Sequence, residues 1–304
     1  MTIPGRSCPL HYRYAPADFA HTSDANADCI YLVGGLYGNL PALDAIEALA
    51  AEESAPPLMV FNGDFNWFNV DDAGFEAVNR RVLNHSALRG NVETELAADD
   101  AAAGCGCGYP EFVNDVDVAR SNQIMERLRR TSLAHPATRR MLGHLPMFRT
   151  SVVGAGRIAI VHGDCESLAG WGLSQEALAA FDQQIRVENW FNAARVTVIA
   201  SSHSCLPVMM NFPARHGDGI VVNNGAAGLP NFAGTQHGVI TRIGIAPSRH
   251  QSLYGTRTGG VHVDALAVHY DTQKWQSDFD RNWAAGSPAY MSYARRIAQG
   301  PQYR

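Results

Sequence analysis

Four side chains in this sequence have the type and placement to do metal chemistry. They are Asp64 in Asn62-Gly63-Asp64, Asn91 in Arg89-Gly90-Asn91-Val92-Glu93, His162 in Val161-His162-Gly163, and His203 in Ser202-His203-Ser204-Cys205. Each follows a short apolar run and stands where that run breaks into a loop. In layered α/β folds, sites collect outside the carboxyl ends of strands, because the backbone turns away there and leaves a crevice. Oxygen and nitrogen donors delivered from such ends can converge on one ion. Taken singly, each residue has an ordinary structural use: a Gly-Asp after a strand makes a turn, and a strand-end histidine forms a hydrogen bond in place. Their joint order along the chain carries the metal reading.

The elements that must position these residues are legible as apolar patterns. Cys29-Ile30-Tyr31-Leu32-Val33 is a β-rich run stopped by Gly34-Gly35, and Leu58-Met59-Val60-Phe61 is stopped by Asn62-Gly63-Asp64. Between them Leu40, Leu43, Ile46 and Leu49 recur at helical spacing, which predicts a βαβ unit. Residues 151–153 and 157–161 predict a hairpin turning at Gly154-Ala155-Gly156 and ending at His162. Further strands are predicted at 87–89, 196–200, 219–222, 238–243 and 261–270, with helical patterns at 75–83, 122–128 and 289–297. The Ala/Asp/Gly-rich stretch 97–108 reads as a surface excursion.

Composition narrows the partners. The 304 residues are 46% hydrophobic and 17% charged, which supports a large buried core and excludes disorder and coiled coil. Twenty-four basic side chains against 29 acidic leave a net charge of -5, with no Lys/Arg block to track a phosphate backbone. Small molecules are therefore the expected partners, with no nucleic acid. No run reaches the roughly 18 apolar residues of a membrane span, and the first residues lack a signal-like run, so no membrane partner and a cytoplasmic location are expected. Six irregularly spaced cysteines suit reduced thiols. Cys105-Gly106-Cys107 could chelate a soft metal, but it lacks a matching second pair, and a disulfide across that spacing would be strained, so it is expected to be a metal-free loop.

The order of these segments resembles the calcineurin-like metallophosphoesterase superfamily, whose pattern runs D-x-H-G-N, G-D, G-N-H-[DE] or G-N-x-[DE], a His before Gly, then G-H-x-H. The first motif stands here as Gly35-Leu36-Tyr37-Gly38-Asn39, and the others fall at Asp64, Asn91, His162 and His203. Val222-Asn223-Asn224-Gly225-Ala226-Ala227-Gly228-Leu229-Pro230 is similar to the N-x-G-S-x-G-x-P segment of bacterial members, and the likeness covers residues 30–229. It implies a divergent bacterial member with an α/β four-layer α/β/β/α sandwich. A single domain over 1–304 is expected, with a helical insertion at about 71–150 whose length and mixed pattern suit a cap over the site.

The departures set the expected chemistry. The resemblance implies two ions sharing a bridging Asp. The first ion's positions are Gly35, Tyr37, Asp64 and Cys205: glycine offers no donor, and neutral tyrosine is a poor one. The second ion's positions, Asp64, Asn91, His162 and His203, all keep their residue types and suit one Zn, Mn, Fe or Ni ion. Val92 stands where the family commonly has a catalytic His. Asn39 and the Gly38 backbone are expected to contact phosphate. Tyr37 either donates to phosphate or fills vacated volume, and Cys205 is either a replacement ligand or a buried thiol. Asp164 is a candidate to orient an imidazole, and Trp67 and Phe68, beside Asn66 and Asn69, to stack on a ligand. His85, His135 and His144 are candidates to cap the site. The expected activity is a metal-dependent phosphoesterase cleaving a phosphomonoester or phosphodiester of a small phosphorylated molecule. The alternative is a degenerate module that binds metal or phosphate without turnover.

Overall fold

A computed structural model of the chain describes residues 3–21, 23–215 and 217–303. Its strands are β1 Ala25–Ala27, β2 Cys29–Val33, β3 Leu58–Asn62, β4 Ser86–Leu88, β5 Phe148–Val153, β6 Gly156–Val161, β7 Val198–Ser201, β8 Pro207–Phe212, β9 Gly219–Asn224, β10 Gly238–Gly244, β11 Ser252–Thr258 and β12 Val261–Val268. The helices are α1 Leu40–Ala51, α2 Asp72–Val82, α3 Asn91–Ala97, α4 Asp115–Leu133, α5 Pro136–His144, α6 Gln175–Leu178, α7 Phe181–Ala194, α8 Thr272–Asn282 and α9 Pro288–Gln299.

Among the described residues the strands form two six-stranded sheets, ordered β11-β12-β10-β2-β3-β4 and β1-β5-β6-β7-β9-β8. Successive side chains of a strand point to opposite faces, and both faces are covered, so the central strands read as continuous apolar runs. Ile30, Leu32 and Val60 of the first sheet meet Ile158, Ile160, Val198 and Val222 of the second in a shared core. Their neighbours Tyr31, Val33 and Phe61 face the other way, onto Leu43 and Ile46 of α1 and Phe279 of α8. On the far side Val161, Ile199 and Val221 pack on Trp190 and Phe191 of α7. The layers are helix, sheet, sheet, helix, as expected. Each fully buried Ile, Leu or Phe contributes about 1.5–3 kcal/mol, so the central layer is what locks the sheets together.

β2, β3 and β4 run parallel, and β6, β7 and β9 run parallel in the other sheet. Their carboxyl ends meet: the carbonyl of Asn62, last residue of β3, accepts a hydrogen bond at 2.9 Å from His162 Nδ1, just past β6. Helix α1 starts where the sequence predicts, with Asn39 Oδ1 accepting from Ala42 N at 2.9 Å and Pro41 in the first turn.

Two expectations are corrected. Residues 97–108 are not wholly a surface excursion, because Cys105 and Cys107 are buried. The six cysteines are not all free thiols, because Cys105 and Cys107 are joined as a disulfide. No helix among the described residues is long and apolar enough to cross a membrane.

Candidate metal centre

The site begins with a backbone distortion. After β3 the chain turns through Gly63 at φ 76° and Asp64 at φ 52°, both in the left-handed region. A Cβ at position 63 would lie 2.6 Å from Gly90 N and from His162 Nδ1, so only glycine permits this approach. Glu93 holds the turn: its buried carboxylate accepts from the backbone N–H of Asp64 at 2.7 Å, of Phe65 at 3.1 Å and of Gly90 at 3.1 Å. The two loops are thereby tied together, and Asp64 Oδ1 accepts from Val92 N at 3.1 Å.

Each inward-facing atom is fixed by what the rest of its side chain does. Asn91 donates from Nδ2 to Cys105 O at 2.9 Å, which turns Oδ1 toward His162 Nε2 at 3.1 Å. His162 donates from Nδ1 to Asn62 O, leaving Nε2 facing Asp64 Oδ2 at 3.3 Å. His203 donates from Nε2 to Cys107 O at 2.8 Å, leaving Nδ1 at 3.1 Å from His162 Nε2. With the outer N–H of each imidazole spent on a carbonyl, Asp64 Oδ2, Asn91 Oδ1 and His203 Nδ1 all face His162 Nε2, a position that a proton or a cation can occupy. Ligand atoms of Asp64, His162 and His203 lie within 4.8 Å of one another, a grouping that could hold a metal ion. Outward bonds that fix the tautomer are the usual second layer of histidine metal sites. The donor set fits a divalent transition metal.

The electrostatics agree. Burial disfavours a charged His162, but the Asp64 carboxylate overrides this and raises its pKa. Burial likewise raises Asp64, and His162 overrides it, so Asp64 is lowered. Burial and the neighbouring His162 push His203 down to about 4, keeping it neutral. Asp64 thus attracts a positive charge, and a cation competes with the proton of His162 for that place.

The adjoining half is arranged differently. The Tyr37 hydroxyl lies 2.7 Å from Cys205 Sγ. A Cβ at Gly35 would come within 2.9–3.0 Å of the Tyr37 ring, so that ring occupies the space a side chain at 35 would need. Burial, then Cys205, raises the Tyr37 pKa well above its ordinary value, so the phenol is neutral. Tyr37, packed against Gly35 and bonded to Cys205, therefore plugs this side of the pocket.

Other expected contacts lie elsewhere. The Gly38 N–H is spent on Phe65 O at 2.8 Å, and Asn39, fully buried, also donates to Gly228 O at 2.9 Å. Asp164 accepts from the N–H groups of Glu166, Ser167 and Gly172 and so shapes its own loop, while backbone carbonyls orient the imidazoles. Asn66 pairs with Asn79, Asn69 donates to Asn66, and Phe68 packs on Phe279 and Tyr293. His85 lies against Phe61, His135 bonds Asp72, and His144 bonds Arg140 O, none of them at the site.

A cavity of about 50 Å³ adjoins the donors, lined by Asp64, Asn91 and His203, by Tyr37, Cys107 and Cys205, and by the aromatic side chains of Trp67, Tyr109, Trp171 and Tyr293. Trp171 donates to Cys107 O at 2.9 Å, and its ring lies 5.2 Å from that of His203. Of these four aromatic residues, the sequence singled out Trp67 alone; Trp171 between two glycines and Tyr109 after Cys105-Gly106-Cys107-Gly108 were the available signals.

Solved structures of the same fold include a metallophosphoesterase from Sphaerobacter thermophilus, with 16% identity over 91% of this chain and 100% of that chain and a TM-score of 0.57. A hypothetical protein from Pyrococcus horikoshii gives 16% identity over 91% of this chain and 99% of that chain, with a TM-score of 0.60. No family model matches the sequence, and no curated protein matches it. The chain has the calcineurin-like metallophosphoesterase fold, in a divergent form.

Proposed function

We propose that this chain is a metal-dependent phosphoesterase-like hydrolase that holds a single divalent ion, Mn, Zn, Fe or Ni, between Asp64, Asn91, His162 and His203. The observation that supports it is the inward convergence of their lone pairs, with each imidazole pinned from behind by a backbone carbonyl. When bound, the ion would polarise a phosphoryl oxygen and lower the pKa of a water, as such ions do in phosphate-ester hydrolysis. Asp64 supplies the negative charge that retains a cation, and neutral Asn91 and His203 add donors without adding repulsion. Asp64, Asn91, His162 and His203 are buried, which strengthens electrostatic interactions there. The substrate class is a small phosphorylated molecule, and the chain acts as one domain in which residues 71–150 help to cover the site through Cys107 and Tyr109.

A second reading, a module that binds metal or phosphate without turnover, is favoured by the Tyr37–Cys205 plug and by the small cavity. On the measure by which one water needs about 10–15 Å³, the cavity of about 50 Å³ takes a few waters or a small group in their place. One experiment separates the two. Protein purified without chelator is analysed for metal, then assayed on nitrophenyl phosphate mono- and diesters with Mn, Zn, Ni and Mg. About one ion per chain with ester hydrolysis supports the enzyme, whereas metal without hydrolysis supports the binding module. Absence of metal overturns both metal-based readings.

A further inference from the structure

We propose that Cys105 and Cys107 form a redox site that sets the affinity of the neighbouring donor cluster for a divalent cation; this rests on the metal reading above. The pair is placed where it can do so. Cys105 O accepts from Asn91 Nδ2 at 2.9 Å, and Cys107 O accepts from His203 Nε2 at 2.8 Å. Two of the four donors are therefore aimed by the carbonyls of the two cysteines. Asn91 Nδ2 also lies 3.6 Å from Cys107 Sγ, and Trp171 Nε1 donates to the same Cys107 carbonyl at 2.9 Å.

The segment between the carbonyls has little stiffness of its own. It reads Gly104-Cys105-Gly106-Cys107-Gly108, and its glycines sit at φ 64°, 66° and 58°. Glycine has the most backbone freedom to lose, so a loop of alternating glycines holds two carbonyls in fixed directions only when something else constrains it. Hydrogen bonds supply part of that constraint: Cys105 N donates to Asn122 Oδ1 of α4 at 2.9 Å, and Gly104 N and Gly106 N donate to Ala101 O and Ala103 O at 3.0 and 3.1 Å. The covalent part is the Cys105–Cys107 bond, which closes the loop directly between the two carbonyls. Reduction breaks that Sγ–Sγ bond and adds two electrons and two protons, both supplied by a dithiol that leaves as its own disulfide. The freed loop then holds Asn91 and His203 less firmly. Loss of such outer support costs metal sites about 10- to 100-fold in affinity.

The test uses the whole protein in two redox forms. It is oxidised with glutathione disulfide or reduced with a dithiol, and the small thiols are removed anaerobically by gel filtration. Titration of the unfolded chain should count four thiols in the oxidised form, from Cys8, Cys29, Cys165 and Cys205, and six in the reduced form. Zn²⁺ affinity, read by competition with a chromophoric chelator, should be about 10-fold or more weaker after reduction. Cys105→Ser and Cys107→Ser should each bind at the reduced-form affinity and ignore reductant, whereas Cys8→Ser should keep the response. Six thiols in the oxidised sample would overturn the proposal. Equal tight binding in both forms overturns it but leaves the metal reading standing. Tighter binding after reduction also overturns it and makes Cys107 Sγ a ligand. Absence of Zn²⁺ binding in both forms overturns the metal reading and this inference together.

Discussion

Two halves of one pocket have met the same physical problem in opposite ways. On the side of Asp64, Asn91, His162 and His203, the outward-facing bonds are made to the protein and the inward-facing lone pairs are left to one another. On the side of Gly35, Tyr37 and Cys205, the polar atoms satisfy each other and an aromatic ring fills the volume. Buried polar groups that are not bonded are costly, so each side must satisfy its polar atoms or leave them to a ligand. The second side satisfies its own, Tyr37 with Cys205. The first keeps a grouping that could hold a cation, and the difference teaches that neighbouring parts of one pocket can leave donors facing one another or close them against each other.

The largest test of this contrast is His162→Ala, which removes the nitrogen that faces three of the other donor atoms. Metal content measured on the purified variant should fall from about one ion per chain to near zero, with the fold retained by circular dichroism. Reopening the closed half is next. Gly35→Asp combined with Tyr37→His removes the ring that blocks a Cβ at position 35, and stoichiometry should rise toward two. Gly35→Asp alone should instead lower stability by about 2 kcal/mol in denaturant unfolding, because it adds a side chain at φ 62° against that ring. Unchanged stoichiometry in the double variant would argue that these positions do not correspond to a first ion site.

Glu93→Gln probes the frame of the retained half. An amide cannot serve three backbone N–H donors as a carboxylate does, so stability should fall by about 2 kcal/mol and Zn²⁺ should bind more weakly. Full affinity in this variant would show that the Asp64 loop does not need the brace. The smallest effect is expected of Tyr37→Phe, which removes only the hydroxyl beside Cys205. A loss of about 1 kcal/mol in unfolding with unaltered metal content is expected. Any loss of metal there would mean that the plug is part of the binding half after all.

Much of the frame was legible because burial on two faces leaves an unambiguous mark. The runs at Cys29–Val33 and Leu58–Asn62 and the stripe in Leu40–Ala51 appear where their apolar patterns place them. Elements with weak marks went unseen. β11 alternates half-exposed and exposed residues at a sheet edge, and α8 buries only Trp275 and Phe279 of its eleven residues. Neither carries an apolar stripe strong enough to stand out from loop sequence. The stretch 97–108 misled for the converse reason: its small residues look solvent-facing, yet Cys105 and Cys107 are drawn inward by bonds to Asn91 and His203, the latter 96 positions from Cys107.

By itself the sequence determined which donors exist, in what order, and that each stands at the end of a strand, because residue type and apolar periodicity are local properties. Only the tertiary structure decided which ring nitrogen of each histidine faces inward, that Tyr37 and Cys205 close on each other, and that aromatic side chains narrow the cavity. Those outcomes depend on hydrogen bonds and contacts between residues many tens of positions apart, such as His162 with Asn62 and Tyr37 with Cys205, and no pattern along the chain encodes such a meeting.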